Sequence, residues 1–411
     1  MTQLILLTSH FPYYPGEQFL EQEIAHFSDH FDWVVVVPID LSQSDGTRRD
    51  LPDGVELVEM VRPDDSRVRS LASRLTTSFA EGIARAGLPH KTALDLRFST
   101  TALGMYDRVS AALDDAGVSR SEPTITYGYW LFKQAAVATL LTRHHFTGRA
   151  LAISRAHGAD VYRDRGIMGY LPARRYLSRN LDHLYPISES GRREILAYPG
   201  IDAAKVEVAR LGTNPPLERV DRARANPFHV VTVSRIIPLK RVDDIARAIA
   251  IAAKRVPGGI RWTHIGDSGK ESLAKLDELT RDLGIDESTD LLGQISNAEV
   301  AQFYRENPVS FFVNFSTTEG VPVSIMEAFA HSIPAIATDV GGTGELVNSH
   351  NGELLPASAT VEDLADELQR LASLSDEDYA AMSDNAFDTW QSMANGPENY
   401  EAFAHRLRDL I

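Results

Sequence analysis

The sequence contains no cysteine, which excludes disulfide bonds, thiolate metal ligands and cysteine nucleophiles. It also lacks any run approaching about eighteen consecutive apolar residues, so we expect no segment that spans a membrane. The first residues show only a brief apolar run with no basic stretch ahead of it, and we interpret them as a strand and not as a signal peptide. These absences lead us to expect a cytoplasmic protein, either free or at the inner face of the cytoplasmic membrane.

Positive charge is in deficit, because 41 Lys and Arg residues face 57 Asp and Glu residues, for a formal net charge of -16. An acidic chain repels the phosphate backbone of nucleic acids, so we expect no nucleic-acid partner. Phosphates on a small ligand remain open, because a few local donors can overcome the overall charge.

Short apolar runs alternate with helical patterns along the 411 residues. Runs that are bounded by loops and contain β-branched residues are typical of buried parallel strands. They lie at residues 4–7, 33–37, 124–127, 150–154, 183–187, 230–234, 261–265, 309–315 and 334–338. Strands that alternate with helices predict an α/β fold built from doubly wound sheets.

The alternation restarts after a proline-rich stretch near residues 213–228, which we interpret as a linker. We expect one domain over residues 1–213 and a second over 228–385. The remaining residues, 386–411, are predicted to form a helix that packs back on the first domain. The two domains are predicted to be Rossmann-like and to face each other across a cleft, with ligands beyond the carboxyl ends of the strands.

The strongest motif is STTEGVPVSIMEA over residues 316–328, directly after a predicted strand. Its proline suits the first turn of a helix, and its glycine permits close approach to a ligand. Backbone amides at such a turn can face an anion or a hydroxyl, and two carboxylates bracket it. The alternative is one helix-capping glutamate and one solvated glutamate. The candidate binding residues here are Glu319, Gly320, Val321, Pro322, Val323 and Glu327.

Arg235 and Lys240 follow the run at 230–234. A planar guanidinium and an ammonium at a strand end can converge on a diphosphate and stabilise its departure without a metal. The alternative is a pair of solvated surface cations. Gly266, in a glycine turn, and Ile295, at a strand end, are supporting candidates for ligand contacts through the backbone.

In the first half, His157 and Asp160 follow the run at 150–154 and are candidates for the facing wall of the cleft. The alternative is a histidine with a structural role only. Gly16 lies in an aromatic loop after the first strand, where a glycine lets backbone amides approach a phosphate or a sugar. The alternative for this loop is a rigid segment that packs on its own domain.

With these residues in place, the chain resembles the family 4 glycosyltransferases of the GT-B fold. The likeness is close over residues 228–356 and looser but continuous over the first half. Glu319 and Glu327 resemble the family's E-x7-E element, and Arg235 and Lys240 resemble its phosphate-binding pair. Further matching segments are Gly341-Gly342 with Glu345, Asn351-Gly352, and His157-Gly158-Ala159-Asp160.

The resemblance implies a retaining transfer from a UDP-, GDP- or ADP-sugar, without a metal or any other cofactor. It implies that Glu319 binds hydroxyls of the donor sugar and Glu327 binds the ribose. Arg235 and Lys240 are then expected to hold the diphosphate, and His157 to touch the donor sugar near its anomeric centre. Same-face attack, with the leaving phosphate taking the acceptor proton, is the mechanism usually attributed to the family.

Three segments depart from the family pattern. Pro15-Gly16-Glu17 replaces a glycine-glycine loop, which puts the amide contacts of that loop in doubt. Ser332-Ile333 replaces a small glycine before the last predicted strand, and we expect this change to alter packing more than chemistry. Asn314-Phe315-Ser316 replaces the commoner Pro-Ser and is expected to reshape the donor pocket.

The first-half loops look most like those of bacterial exopolysaccharide or cell-surface glycan transferases, which implies a glycan or lipid-linked glycan acceptor. Residues 66–87 form a basic amphipathic pattern, which predicts either peripheral membrane contact or an ordinary surface helix. Two other classes stay open: a nucleotide-sugar epimerase or hydrolase of the same fold, and a non-catalytic nucleotide-sugar binding protein.

Overall fold

The computed structural model describes residues 1–14, 16–42, 44, 46–60, 89–198, 200–219 and 222–411. The chain divides into two compact units. The first comprises Met1–Leu211 together with Pro397–Ile411, and the second comprises Gly212–Gly396. The stretch near 213–228 and residues 386–396 therefore lie within the second unit, whereas the sequence led us to expect a linker and the start of the returning helix there.

The first unit has a six-stranded parallel sheet with the order β3-β2-β1-β4-β5-β6. Its strands are β1 (Gln3–Thr8), β2 (Trp33–Pro38), β3 (Val55–Leu57), β4 (Thr124–Gly128), β5 (Ala150–Ala156) and β6 (His183–Pro186). Its described helices are α1 (Phe19–Glu23), α2 (Pro89–Asp115), α3 (Lys133–His144), α4 (Arg174–Asn180) and α5 (Glu189–Leu196), together with the last helix of the chain.

The second unit has a six-stranded parallel sheet with the order β12-β11-β10-β7-β8-β9. Its strands are β7 (Phe228–Val233), β8 (Ile260–Ile265), β9 (Thr289–Gly293), β10 (Phe311–Asn314), β11 (Ala335–Thr338) and β12 (Gly352–Leu355). Its described helices are α6 (Val242–Ala252), α7 (Lys270–Leu283), α8 (Asn297–Glu306), α9 (Val323–Ala330), α10 (Thr343–Leu346), α11 (Val361–Ala372) and α12 (Asp376–Met393).

Each sheet reverses its winding direction at one place, between β1 and β4 in the first unit and between β7 and β10 in the second. Loops that leave neighbouring parallel strands diverge at such a switch point, and the resulting crevice is where open α/β sheets bind ligands. All nine apolar runs that predicted strands overlap observed strands. The predicted α/β fold with two doubly wound sheets is therefore confirmed.

The last helix, α13 (Gly396–Asp409), contributes to the core of the first unit. Phe403 is buried against aromatic side chains of that unit, with ring centroids 5.0 Å from Tyr185 and 5.9 Å from Tyr127. Leu407 is fully buried in the same cluster. Burial of such side chains contributes roughly 1.5–3 kcal/mol each, so this helix is an integral element of the first unit.

The basic amphipathic pattern at residues 66–87 lies outside the described residues. Among the helices that the structure describes, none combines the length and the apolar character that crossing a membrane requires.

Candidate functional site

The candidate residues of the second unit follow four neighbouring strands. Glu319 follows β10, Arg235 follows β7, Gly266 follows β8 and Ile295 follows β9, and these strands are adjacent in the sheet. Carboxyl ends of parallel strands lie at one edge of a sheet, so the fold brings the four loops to one edge. The switch point falls between the loops that carry Arg235 and Glu319.

Glu319 directs one carboxylate oxygen into the protein and leaves the other without a partner. Its Oε1 accepts hydrogen bonds from Nζ of Lys240 at 2.5 Å, Oγ of Ser316 at 2.7 Å and Nδ2 of Asn314 at 3.2 Å. None of the described residues donates to Oε2. Three donors on one oxygen fix the carboxylate, since bonds to a charged group are short and directional. The second oxygen is thus an oriented acceptor for a ligand hydroxyl.

Two of those donors come from the segment that departs from the family pattern. Asn314 ends β10, and Ser316 follows two residues later. Their side chains hold Glu319 in place, a role that sequence reasoning missed. The only available signal was their proximity in sequence to the carboxylate, since polar side chains near a strand end commonly bond to their neighbours.

Lys240 and Arg235 differ in their surroundings. Lys240 ends the 3-10 turn Pro238–Lys240, whose Leu239 carbonyl accepts a hydrogen bond from the amide of Thr317 at 2.9 Å. This bond ties the turn to the β10 loop and keeps the ammonium beside Glu319. The side chain of Arg235 is exposed and forms neither a hydrogen bond nor an ion pair with any residue in the described ranges, although its backbone carbonyl accepts from the amide of Ile237 at 3.1 Å. The guanidinium is therefore available to an anionic ligand.

The turn between β10 and α9 leaves backbone amides unpaired. The amides of Gly320, Val321 and Val323 donate to no acceptor within the described part of the chain. Pro322 is the residue that caps α9, not a member of its first turn, which corrects the predicted position by one residue. Free amides at a helix N-terminus attract anions and hydroxyl oxygens, because the helix dipole adds to their partial charges.

A glycine lets a neighbouring backbone segment pack closely against this turn. Gly341 has φ 59, and the amide of Gly342 donates to the carbonyl of Gly320 at 2.7 Å. A Cβ at Gly341 would lie 2.0 Å from the carbonyl oxygen of Glu319. Only glycine permits this approach, which explains the glycine pair that the sequence resemblance pointed to.

Glu327 lies on α9 and is half-buried. Burial raises the pKa of its carboxyl to about 7. Its side chain has no hydrogen-bond partner among the residues that the structure describes, although its backbone oxygen accepts from Nδ1 of His331 at 2.9 Å. A half-buried carboxyl without a donor is poised to accept hydrogen bonds from ligand hydroxyls, which would restore its ionised form.

Gly266 and Ile295 shape the same edge of the sheet. Gly266 has φ 114, and a Cβ there would lie 2.2 Å from the carbonyl oxygen of Ser234. Glycine therefore lets the loop after β8 pack against the exit of β7. Ile295 is half-buried beyond the edge strand β9.

In the first unit, His157 lies between two aromatic rings at the end of β5. Its ring centroid is 4.7 Å from that of Tyr129 and 4.4 Å from that of Trp130. Both ring nitrogens are buried without a hydrogen bond in the described structure, but Nδ1 lies 3.7 Å from Oδ2 of Asp160, so Nε2 is the nitrogen without any partner among the described residues. Unsatisfied buried nitrogens are costly, so they mark a position that a ligand hydroxyl can satisfy.

Asp160 holds this loop and does not face open space. Its carboxylate accepts hydrogen bonds from the amides of His157 at 2.7 Å and Leu131 at 2.8 Å, and it is fully buried. Burial alone would raise the pKa of Asp160, but the side chain of His157 and the amide of Leu131 hold that pKa below the usual value. Its observed contacts make it a positioning residue that joins the exits of β4 and β5.

The loop after β1 differs from its predicted role. Gly16 was a candidate for bringing backbone amides of this loop to a ligand. In the structure, amides of the loop donate instead to the side-chain carboxylate of Glu17. Its carboxylate accepts from the amides of Ser9 at 2.9 Å, His10 at 2.9 Å and Phe11 at 2.7 Å. An internal carboxylate thus fills the anion-binding position that the glycine loop would offer.

Glu17 also fixes the aromatic wall beside His157. Nε1 of Trp130 donates to its Oε1 at 2.7 Å, and Glu17 itself has φ 53. Such backbone is unfavourable for a residue other than glycine, and here four hydrogen bonds to the carboxylate stabilise it. In the sequence, the only sign of this role was the glutamate in place of the second glycine of the family loop.

Within the described ranges, no group of three or more histidine, aspartate or glutamate side chains is placed to hold a metal ion.

The fold places the chain in a class. Two doubly wound units, each with a parallel six-stranded sheet, make it a two-unit α/β protein with the GT-B fold. Anabaena HepE, solved in complex with UDP, superposes with a TM-score of 0.70 at 17% sequence identity, covering 100% of both chains. At that identity the likeness shows the fold alone.

Residues 216–389 match the family described as glycosyl transferases group 1. The match confirms the resemblance that the motifs predicted. Amylovoran biosynthesis glycosyltransferase AmsK of Erwinia amylovora is 25% identical over 222 residues, which are 53% of this chain and 54% of AmsK. D-inositol 3-phosphate glycosyltransferase of Rhodococcus erythropolis is 32% identical over 188 residues, 42% of each chain. The chain thus spans about half the length of these curated relatives.

Proposed function

We propose that this protein is a retaining glycosyltransferase that moves a sugar from a nucleotide-sugar donor to a glycan or lipid-linked glycan acceptor, without a metal ion. The observation that carries the proposal is the arrangement around Glu319. One oxygen of this carboxylate is held by three donors and the other has no donor among the described residues. The loop after the adjacent strand β7 carries Arg235, whose side chain has no partner in the described ranges. The family of residues 216–389 supports the same reaction class.

The donor sugar is assigned to the open oxygen of Glu319. Vicinal hydroxyls of a sugar donate hydrogen bonds in a fixed geometry, and a carboxylate that is already oriented loses little entropy on accepting them. Lys240 serves two purposes in this assignment: it fixes Glu319, and its remaining ammonium protons face the diphosphate. We assign the ribose hydroxyls to Glu327.

The diphosphate is assigned to Arg235, Lys240 and the free amides of Gly320, Val321 and Val323. Negative charge builds on the β-phosphate as the bond to the sugar breaks, and preorganised donors stabilise that charge. Two cations and a set of amides replace the divalent ion that other transferases use. No protein nucleophile is invoked, because the departing phosphate takes the acceptor proton during same-face attack. For His157 we propose contact with a sugar hydroxyl through Nε2, which has no hydrogen-bond partner in the described structure.

A product assay tests the proposal against its alternatives. The protein is incubated with UDP-, GDP- and ADP-sugars in EDTA, with and without glycan acceptors, and products are identified with their anomeric configuration. Transfer that requires an acceptor, survives EDTA and retains configuration supports the proposal. Acceptor-independent release or epimerisation of the sugar points to a hydrolase or an epimerase, and binding without turnover points to a non-catalytic binding protein.

A further inference from the structure

The first unit contains a cavity of about 480 Å³ whose walls are mainly apolar. Helix α2 contributes Leu94, Phe98 and Met105 to one wall, and Phe132 lies at the start of α3. Ile167 borders the cavity and is 68% exposed. Ligand sites in proteins commonly measure about 300–1,000 Å³, so this cavity is large enough for a chemical group and not just a solvent molecule.

The cavity lies at the strand-exit edge of the first sheet. Ser9 after β1, Asp40 after β2 and Trp130 after β4 all border it. These strands are neighbours around the switch point between β1 and β4. The ring of Trp130 also contacts His157, with centroids 4.4 Å apart. A group in the cavity therefore touches the same indole that packs against a proposed sugar-binding residue.

The chemistry of the walls favours a hydrocarbon over a sugar. Sugar hydroxyls in an apolar cavity would lose water without gaining partners, at a cost for each unpaired group. A hydrocarbon has no such cost, and each methylene that leaves water tightens binding by about fourfold. The charged residues Asp40, Lys133 and Arg165 and the polar residues Ser9, Gln134 and Tyr170 also border the cavity, but its exposed lining is mainly apolar. These features match an amphiphile with a polar group next to an apolar chain.

We propose that this cavity binds the apolar chain attached to the acceptor sugar, so that the acceptor is an amphiphile and not a free, fully hydrophilic oligosaccharide. The inference rests on the proposed function for the identity of the sugar-bearing partner. The binding of the chain itself depends only on the cavity, and it can be measured without turnover.

Calorimetric titration with methyl, butyl and octyl β-glucoside below micelle formation tests chain binding directly. We expect octyl glucoside to bind at least tenfold more tightly than butyl glucoside, and methyl glucoside to give no measurable heat. Leu94→Asp and Ile167→Asp introduce a carboxylate from two different elements and should each abolish the binding of octyl glucoside. Leu96→Asp is the matched control, because Leu96 is 53% exposed on the same helix and does not border the cavity.

Circular dichroism of each variant checks that it is folded, and the exposed position of Ile167 keeps the test valid if Leu94→Asp destabilises the unit. Equal affinities for the three glucosides, or unchanged octyl glucoside binding in Ile167→Asp, would overturn the proposal. Loss of binding in Leu96→Asp as well would overturn it, since the effect would not be local to the cavity. Chain-length-dependent binding in a protein that transfers no sugar would retain the cavity site and refute the proposed function instead.

Discussion

Replacing Ser332 by glycine should stabilise the second unit. Helix α9 ends in a Schellman motif, in which the amide of Ile333 donates to the carbonyl of Ala328 at 3.0 Å and the amide of Ser332 donates to the carbonyl of Phe329 at 2.9 Å. The residue after the helix in this motif adopts left-handed backbone, and it is most often glycine. Here it is a serine with φ 57, which is 2% exposed. Its hydroxyl is buried without a hydrogen-bond partner within the described structure.

Three contributions set the size of the effect. Left-handed backbone costs a residue with a Cβ roughly 1–2 kcal/mol, which glycine does not incur. An unsatisfied buried hydroxyl costs about 1–3 kcal/mol, which the substitution also removes. Glycine loses roughly 0.5–1 kcal/mol more conformational entropy on folding than alanine. We therefore expect Ser332→Gly to raise the free energy of unfolding by about 1–4.5 kcal/mol.

Ser332→Ala separates the two favourable contributions, because alanine removes the hydroxyl but keeps the backbone cost. Equilibrium urea unfolding of the whole chain, followed by tryptophan fluorescence, measures all three proteins; Trp262 and Trp390 report on the second unit. The expected order of stability is glycine above alanine above serine. If the glycine variant is no more stable than the alanine variant, the reasoning about left-handed backbone is refuted.

Three further predictions concern residues of the candidate site. Glu17→Gln should lower the free energy of unfolding by about 2–4 kcal/mol and alter the fluorescence of Trp130. The reason is that an amide cannot accept all four hydrogen bonds that the carboxylate accepts. A variant that unfolds and fluoresces like the wild type would contradict this prediction. Burial raises the pKa of Glu327 to about 7 from an ordinary value of 4.5, so the folded state holds the proton more tightly and the free energy of unfolding should fall as pH rises through that window. Glu327→Gln should remove that fall. The free energy of unfolding of the variant, minus that of the wild type, should therefore be roughly 2 kcal/mol larger at about pH 8 than at about pH 5. Parallel pH profiles of the two proteins in urea unfolding would exclude this prediction. Gly341→Ala should destabilise the protein by several kcal/mol, because its Cβ would lie 2.0 Å from the carbonyl oxygen of Glu319. The control Gly284→Ala, at φ 69 with nothing near its Cβ, should cost only about 1–2 kcal/mol. Equal losses of stability in thermal unfolding would show that the close approach at Gly341 does not matter.

The sequence predicted the two sheets well because their central strands are continuous apolar runs. Strands buried on both faces need such runs, and residues 33–37 and 311–313 show this directly. Strand β3 (Val55–Leu57) is only three residues long, and β12 (Gly352–Leu355) contains a glycine and a glutamate. Both are edge strands, where burial on two faces is not required and the apolar pattern is correspondingly weak.

Predicting the contacts of the candidate site was harder than predicting its location. The turn from Glu319 to Val323 follows a strand and precedes a helix, as the motif indicated. In the Glu319 carboxylate, one oxygen accepts from three donors and the other accepts from none of the described residues. This arrangement depends on side chains that separate loops bring together. Glu17 filled the amides expected to be open because its backbone takes a conformation that residue type alone disfavours. These features follow from tertiary structure and not from local sequence.

The central claim is that the carboxyl edge of the second sheet binds the nucleotide diphosphate of a sugar donor. Calorimetric titration with UDP, GDP and ADP in the presence of EDTA tests it most directly. The wild type is compared with Arg235→Ala and with Arg247→Ala. Arg247 is an exposed arginine on α6, so its variant serves as the matched control. The account predicts that at least one nucleotide binds the wild type, that Arg235→Ala weakens this binding at least tenfold, and that Arg247→Ala leaves it unchanged. No binding of any nucleotide, or equal affinity in Arg235→Ala and the wild type, would contradict it.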